Sequence, residues 1–489
     1  MRQEKAEKAG RPGGLPVAAA GAEGGAGGAE EDGPGVDGAA GGLHIVLVAY
    51  GCDPTRGSEP AVGWGWAETL ARRGHTVEVL THPDRDNERQ IRRRVAELGD
   101  VGERIRPHVI PAPRLPSWTA VLPGCVRDSA RNFLRYDGWQ RRALAHARSH
   151  GLDGADLVHH VSFVSLQGGC ALHRLGPPLV FGPVGGGQTA PHSHRRYLGP
   201  AYLQEVVRTL RVRHLGRRPL CRATLREAAA VLVTNWDTDR RARRLGRTDT
   251  RLMLADGIHE SVLREPLEAE PARSPLRPPT ILWVGGLTAH KAPELALRAM
   301  VHVRSEHPRA RLEFLGDGPL RPSLERLARR LGVGESVDFR GEVPWTDVRT
   351  AYDAADVFLM TSLRDSFGTQ SLEAWARGLP VVHLGHQGIG DFSAPGGAVS
   401  VPLGDPADLP RRLAGALSAV LGDEQTRHGM RGAALAWARK HTWTAKAEAA
   451  EELYRAVLSA GRPSATASAA GRPERCVAEA AALTRPGRG

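Results

Sequence analysis

Cysteine is scarce in this chain of 489 residues, and the cysteines that occur lie far apart. No two of them form a Cys-x-x-Cys pair; the five are Cys52, Cys125, Cys170, Cys221 and Cys476. Zinc ribbons and dithiol redox sites need such pairs, and small secreted scaffolds need several cysteines at regular spacings. The sequence therefore disfavours a zinc site, a redox pair and a disulfide framework, and we expect buried or incidental thiols.

Long apolar runs are missing as well. No stretch reaches about 18 apolar residues, so the sequence predicts no membrane-spanning helix. The first residues lack the apolar core of a signal peptide, which makes the cytoplasm the expected compartment. Large apolar residues are rare in 1–42 and 461–489, and we expect both segments to be disordered tails.

Lysine is nearly absent: five of the 66 basic residues are lysine and 61 are arginine. This bias, with 58 glycines, is typical of a GC-rich genome and explains part of the net charge of +12. The charge fits a solvated surface first, and contact with anionic lipid or an acidic substrate second. Nucleic acid is not expected as a partner, because no nucleic-acid-binding motif occurs. Between Lys8 and Lys440 the chain has one lysine, Lys291, and a compact ammonium suits a phosphate.

Alternating strand and helix patterns occur in two successive halves. The first half, 43–260, opens with a buried strand, a Gly-rich loop, a helix and a second strand, which together form a βαβ unit. Prolines then predict a linker over 261–279. The pattern restarts over 280–442, and a last helix at 443–460 is expected to cross back to the first half. The fold class predicted is α/β, with two doubly wound Rossmann-like domains facing each other across a cleft.

Two carboxylates, Asp365 and Glu373, lie eight positions apart in the second half. A strand at 357–360 precedes them, a Phe-Gly turn lies between them, and an apolar helix pattern begins around Glu373. Loops after parallel strands lie at the edge where open α/β sheets bind ligands, and helix N-termini suit phosphates. Since carboxylates can hold sugar hydroxyls, the pattern predicts a nucleotide-sugar site.

A glycine-rich loop at 284–291 also follows a strand, and Lys291 at its end can neutralise a diphosphate. This segment resembles the G-R-L-x-x-x-K-G motif of family 4 GT-B glycosyltransferases. Gly286 stands where the family has arginine. Asp365 and Glu373 resemble the family's E-x7-E region, with aspartate in the first position.

The resemblance implies roles in catalysis for Asp365, Glu373 and Lys291. Glu373 would hold the donor ribose, and Asp365 would lie near the transferred sugar. Further donor contacts are implied at Gly285, Gly286, Arg340, Gly341, Phe367, Gly368, Thr369 and Gln370. No Asp-x-Asp element occurs in the donor half, so we expect no metal and no cofactor, with a UDP-sugar or GDP-sugar as donor substrate.

The first half carries a loop, Gly57-Ser58-Glu59-Pro60, that resembles the G-S-E-P-x-x-G-W loop of one family 4 branch. A second segment, with Gly185, Gly186 and Gly187, resembles that branch's G-P-V-G-G-G sequence. Both segments would line the acceptor side of the cleft.

Many family members carry a histidine at the position of Gly182. Here His159 and His160 are close neighbours in the expected sheet, and His160 is a candidate catalytic residue. The alternative is a buried, satisfied histidine pair at a strand end.

The function predicted is retaining transfer of a sugar from a nucleotide-diphospho-sugar to a hydroxyl of a glycan, a lipid-linked or a small-molecule acceptor. The family's retention is described as front-face attack without a protein nucleophile. The alternative is a non-catalytic nucleotide-sugar-binding scaffold, because Gly286 and Asp365 depart from the family pattern. A basic cluster with apolar neighbours predicts a peripheral membrane contact; it comprises Arg208, Leu210, Arg211, Val212, Arg213, Leu215, Arg217 and Arg218.

Overall fold

A computed structural model describes residues 41–122, 124–264 and 277–461. The strands in these ranges are β1 (His44–Ala49), β2 (Thr76–Thr81), β3 (Ile105–Val109), β4 (Leu157–Ser162), β5 (Leu179–Val184), β6 (Ala230–Val233), β7 (Arg251–Leu252), β8 (Thr280–Val284), β9 (Arg311–Leu315), β10 (Val337–Gly341), β11 (Val357–Met360), β12 (Val381–Leu384) and β13 (Ala398–Val401).

The α-helices are α1 (Glu59–Arg72), α2 (Asn87–Glu97), α3 (Asp100–Glu103), α4 (Gly124–Ser149), α5 (Tyr202–Arg213), α6 (Pro219–Glu227), α7 (Trp236–Arg244), α8 (Glu294–Glu306), α9 (Arg321–Arg330), α10 (Trp345–Ala354), α11 (Thr369–Ala376), α12 (Gln387–Asp391), α13 (Leu409–Gly422), α14 (Glu424–Arg439) and α15 (Trp443–Gly461). Short 3-10 turns connect several of them. Most of the predicted linker and of both predicted tails lies outside the described residues.

The first sheet is parallel and has the strand order β3-β2-β1-β4-β5-β6-β7. Its central strand β1 is apolar from Ile45 onward and fully buried, as expected when helices cover both faces of a parallel sheet. The strand order reverses between β1 and β4. Such a switch point leaves a crevice at the carboxyl ends of the two strands.

The second sheet repeats this plan with the order β10-β9-β8-β11-β12-β13, again parallel. Its switch point lies between β8 and β11. Apolar residues of both strands enter the core under α8 and α13, among them Ile281, Val357 and Leu359. The prediction of two doubly wound α/β domains is confirmed.

Helix α15 packs on the first domain, against α1. Leu453 and Tyr454 join the first domain's core. The chain before α15 also pairs with the connection between the domains: the Ile258 amide donates to the His441 carbonyl at 3.0 Å, and the Trp443 amide donates to the Ile258 carbonyl at 2.9 Å. The two passages of the chain between the domains therefore lie side by side.

Candidate active site

The switch point of the second sheet brings Lys291 and Asp365 together. Gly285 follows β8 with a φ of 147°, and a β-carbon there would lie 3.0 Å from Lys291 Nζ, so the lysine folds over bare backbone. Nζ is 3.9 Å from Oδ2 of Asp365, which lies in the loop after β11. Both side chains remain partly exposed, at 17% and 25%, so the ammonium can still reach an anion in the crevice.

Glu373 lies in the second turn of α11, because the helix begins at Thr369 and not near Glu373 as the sequence pattern predicts. Its Oε2 accepts a hydrogen bond from the Tyr352 hydroxyl at 2.9 Å. Burial, aided by repulsion from Asp256, raises the pKa of Glu373 to about 7, although Tyr352 and Lys291 act in the opposite direction. The site thus holds a carboxyl group poised between its two protonation states near neutral pH.

The start of α11 lies beside Lys291. Gly368 precedes the helix with a φ of 97°, and a β-carbon there would meet the Met360 methyl group at 2.2 Å. Phe367 is buried among aromatic residues, so its backbone and not its ring is available to a ligand. Gln370 lines a small cavity together with Lys291. The amides that open α11 are therefore placed where a phosphate would be stabilised.

Asp256, which follows β7, is a site carboxylate that the motifs do not include. Its carboxyl group is hydrogen-bonded by the Thr369 side chain, so it bridges from the interdomain connection to α11. Burial raises the pKa of Asp256, and the nearby Asp365 raises it further. No motif or local spacing in the sequence marks Asp256, because tertiary packing places it beside α11.

The loop that resembles G-S-E-P-x-x-G-W places Glu59 near enough to Asp256 for the two carboxyl groups to interact electrostatically. Glu59 Oε1 accepts a hydrogen bond from the Val164 amide at 2.7 Å, and burial raises the pKa of Glu59, with a smaller contribution from Asp256. Ser58 has a φ of 61°, a strained conformation for a residue with a β-carbon, and Gly57 beside it is buried. Such strain at the carboxyl edge of a sheet is typical of a ligand-binding loop.

Of the three predicted glycines after β5, Gly185 lies against the second domain, and Gly187 packs on α7 of the first. A β-carbon at Gly185 would be 2.5 Å from Ser366 Oγ, and one at Gly187 would be 2.5 Å from Thr238 Cα. Gly186 donates its amide to the Gln188 side chain at 2.9 Å, and that side chain in turn donates to Ser366 Oγ at 3.0 Å. The absence of a side chain at Gly185 therefore allows the first domain to approach the loop that carries Asp365.

His160 is not brought to the cleft. It is fully buried, and its Nε2 lies 2.8 Å from the Tyr136 hydroxyl. His159 is held between the Gly182 carbonyl at 2.8 Å and the Tyr454 hydroxyl at 2.6 Å. Burial lowers the pKa of His160 to about 3 and that of His159 to about 4. The geometry thus gives His160 a core position in place of the catalytic one expected, because β4 is central and covered on both faces.

Arg340 and Gly341 differ in what they contact. Arg340, on the outer strand β10, points to the sheet surface, 3.7 Å from Glu313. Gly341 accepts a hydrogen bond from the Gly316 amide at 2.7 Å, and a β-carbon at Gly316 would lie 2.2 Å from the Gly285 carbonyl. The backbone of Gly341 is therefore linked to the Lys291 loop, whereas the Arg340 side chain is turned away from it.

Among residues 41–122, 124–264 and 277–461, no group of three or more His, Cys, Asp or Glu side chains is placed to hold a metal ion. No helix in the same part of the chain is both long and apolar enough to cross a bilayer.

Two facing Rossmann-like domains with a lysine, two carboxylates and a helix start at the second switch point define a GT-B glycosyltransferase. Sequence families agree with this class. Residues 56–255 match the glycosyl transferase 4-like domain, and residues 266–437 match the glycosyl transferases group 1 family. The chain belongs to the group 1 glycosyltransferases of family 4, and it is a transferase enzyme.

The curated relatives that match this chain are named as glycosyltransferases. The chain is 29% identical over 414 residues to the D-inositol 3-phosphate glycosyltransferase of Corynebacterium urealyticum, covering 80% of this chain and 88% of the relative. It is 26% identical over 435 residues to that of Corynebacterium diphtheriae, covering 85% of this chain and 90% of the relative. The predicted resemblance to family 4 is confirmed.

Solved structures share the fold at lower identity. Sucrose-phosphate synthase from Thermosynechococcus elongatus matches with a TM-score of 0.60 and 18% identity, covering 86% of this chain and all of the other. Anabaena HepE in complex with UDP matches with a TM-score of 0.56 and 16% identity, covering 84% of this chain and all of the other. The GT-B fold predicted from the sequence is thereby confirmed.

Proposed function

We propose that this enzyme is a retaining glycosyltransferase that moves a sugar from a nucleotide-diphospho-sugar to an acceptor hydroxyl, without a metal or another cofactor. The observation that carries the proposal is the crevice between β8 and β11. There Lys291 lies over Gly285 and 3.9 Å from Asp365, with the carboxyl group of Glu373 on the adjoining helix. A cation, two carboxylates and a helix start are the groups that a diphosphate and sugar hydroxyls need.

In this proposal each group has a distinct task. Lys291 and the first amides of α11 stabilise the charge that develops on the leaving diphosphate. Glu373 holds the ribose, and Asp365 holds the transferred sugar. The acceptor lies on the side of Glu59 and the Gly185–Gly187 loop, and its hydroxyl attacks the face from which the diphosphate leaves. Closure of the two domains excludes water, which would otherwise compete with the acceptor.

For the donor we propose a UDP-sugar, with GDP- and ADP-sugars as the competing choices. The proposal is supported by the UDP and UDP-glucose complexes of HepE, a protein of the same fold. The acceptor is proposed to be a small polar molecule or a glycan precursor, in line with the inositol phosphate acceptor in the names of the curated relatives.

The first test is the shift in melting temperature that UDP, GDP and ADP produce. We expect one of them to stabilise the wild type, because a ligand that binds the folded state raises its stability by mass action. The Lys291→Ala/Glu373→Ala double variant should show no shift. The matched control is Lys440→Ala, which removes an exposed lysine and should respond as the wild type does. An equal shift in the double variant would refute the site.

Turnover separates the enzyme from the scaffold alternative. Sugar transfer or slow donor hydrolysis by the wild type, with loss of at least about 100-fold in Glu373→Ala, is the result expected when an interaction with the reacting complex is removed. The anomeric configuration of the product, read by NMR, tests retention. Unchanged activity in EDTA is expected, and its loss would contradict the metal-free proposal.

We further propose that the first domain touches an anionic membrane surface, but not through the whole predicted cluster. The sequence pattern predicts that Val212 and Leu215 contact lipid. Both are buried, so they are not available for such a contact. Exposed apolar residues instead occur at Trp118, Val121, Leu203 and Leu210, with exposed fractions of 48% or more. Bulky apolar groups beside exposed arginines favour peripheral binding.

Sedimentation with vesicles of anionic phospholipid at low salt tests the membrane contact. The wild type should cosediment, and a Leu203→Glu/Leu210→Glu variant should stay in solution because both side chains face solvent. If the wild type fails to cosediment, the membrane contact is refuted while the transferase proposal stands.

A further inference from the structure

The loop after β8 has room for a side chain that this sequence lacks. Gly286 stands where the resembled family has arginine. A β-carbon at Gly286 would be 3.7 Å from its nearest neighbour, the Asp317 carbonyl, which is ordinary contact. Its φ is not in the left-handed region, unlike that of Gly285. The absence of a cation at this position is therefore not a steric requirement of the loop.

A guanidinium from the other domain lies close to the loop that carries Asp365. Arg208, on α5, donates to the Gln188 carbonyl at 3.2 Å. The Gln188 side chain donates to Ser366 Oγ at 3.0 Å, directly after Asp365. One turn earlier on α5, Glu205 accepts two hydrogen bonds from Arg364 at 2.8 and 3.0 Å. Helix α5 is thus fixed against the loop that follows β11.

The charges in this region do not balance. Arg364 is paired with Glu205, and Lys291 lies near Asp365. Within the described part of the chain, Arg208 has no carboxylate partner in a salt bridge. Burial lowers the pKa of Arg208 to about 9, and repulsion from Arg364 adds to this effect. Glu205 favours the charged form of the half-buried Arg208, but Glu205 is already paired with Arg364, so an added anion would stabilise this guanidinium.

The histidine between the two strand-end loops shows how close these cations are. The His290 carbonyl accepts the amides of Leu363 and Arg364 at 2.8 and 3.3 Å, so the β8 and β11 loops touch there. After burial, the charges of Arg364, Lys291 and Arg208 are the causes that lower the pKa of His290. Three cations from two domains therefore act electrostatically on one residue next to Lys291.

We propose that Arg208 binds the diphosphate of the donor, supplying from the first domain the cation that Gly286 does not supply from the second. This inference rests on the proposed function and assigns one of its binding residues. Arginine can present two parallel N–H groups to a phosphate, which lysine cannot. Since the diphosphate would then contact both domains, donor binding would also hold the cleft closed.

The test compares the affinities of four proteins for UDP and uridine, measured by calorimetry. They are the wild type, Arg208→Gln, Arg208→Gln/Gly286→Arg and the control Arg213→Gln, which removes an exposed arginine from the same helix. Loss of one charge-assisted hydrogen bond weakens binding by about tenfold or more, so Arg208→Gln should bind UDP at least that much more weakly. Uridine binding should not change, and Gly286→Arg should restore most of the loss.

The outcomes are separable. If UDP binds Arg208→Gln as tightly as the wild type, or if Arg213→Gln loses as much affinity, the role of Arg208 is refuted while the transferase proposal stands. If the wild type binds none of UDP, GDP and ADP, the proposed function itself fails. Should Arg208→Gln not fold, Arg208→Lys keeps the charge. An undiminished UDP affinity in that variant would refute bidentate binding of the diphosphate by arginine.

Discussion

Glu373 is the residue whose protonation state matters most to the site. Its carboxyl group is held among protein atoms beside Asp256, and its pKa of about 7 means that a proton is bound in much of the unliganded protein at neutral pH. A ribose hydroxyl is held better by a carboxylate than by a carboxyl group, since charged acceptors form stronger hydrogen bonds. Donor binding should therefore require loss of this proton.

The first prediction concerns pH and donor affinity. The dissociation constant for UDP should rise as the pH falls from 8 to 6, because protonation of Glu373 through a pKa of about 7 removes the acceptor charge. In Glu373→Gln the affinity should be lower and independent of pH over this range. Isothermal titration at three pH values measures both, and a parallel pH dependence in the two proteins would assign the effect to another group.

A second prediction follows for stability. In the unfolded chain Glu373 titrates near its ordinary pKa of 4.5, and in the folded chain near 7. Between these values the folded state binds more protons, so the free energy of unfolding falls as pH rises through this window, by about 3 kcal/mol. Glu373→Gln should lack this component. Urea unfolding of both proteins at pH 5 and pH 7.5 measures it, and identical differences would contradict the prediction.

At the scale of elements, the turn into α11 depends on one glycine. Gly368→Ala would place a methyl group 2.2 Å from Met360 at a φ of 97°. We expect a loss of about 1–3 kcal/mol in the free energy of unfolding and weaker UDP binding. In the control Gly429→Ala, on exposed α14, the added methyl group meets nothing within 4 Å. That change should stabilise the protein by about 0.5–1 kcal/mol.

Much of the fold follows from local patterns. Strands such as β8 and β11 are short apolar runs bounded by glycine or polar loops, and the sequence places both correctly. The apolar periodicity predicts a start of α11 near Glu373, which is wrong because the turn at Gly368 starts the helix at Thr369. The two-residue strand β7 has no signal of its own, since pairing with β6 defines it.

Some residues of the site also follow from local sequence patterns, and others do not. Lys291 and Asp365 each follow a strand of the second sheet, and their proximity follows from the local pattern because loops after parallel strands share an edge. Asp256 and Arg208 come from a connection and from a helix of the other domain, so tertiary packing places them and no local spacing reveals them. His160 shows the converse: a polar residue near a motif can belong to the core.

At the scale of the whole molecule, Trp443 secures the last helix. It is 5% exposed, and β-carbons at Gly65 and Gly257 would lie 2.3 and 2.7 Å from its ring. Trp443→Ala should lower the free energy of unfolding by about 3–5 kcal/mol through the cavity it leaves. The partly exposed Trp236, changed to alanine, should cost about 0.5 kcal/mol. Thermal unfolding compares the two, and equal losses would refute the anchoring role.

Helix α15 makes the second domain an insertion within the first. A ribosome releases strands β1 to β7 long before Trp443, so the first domain is synthesised without the helix that covers Trp66 and Leu70. That apolar surface stays open until the entire second domain has been translated. A gene fragment ending near residue 264 would leave it open permanently, and dividing the protein into soluble halves requires α15 to be joined to the first.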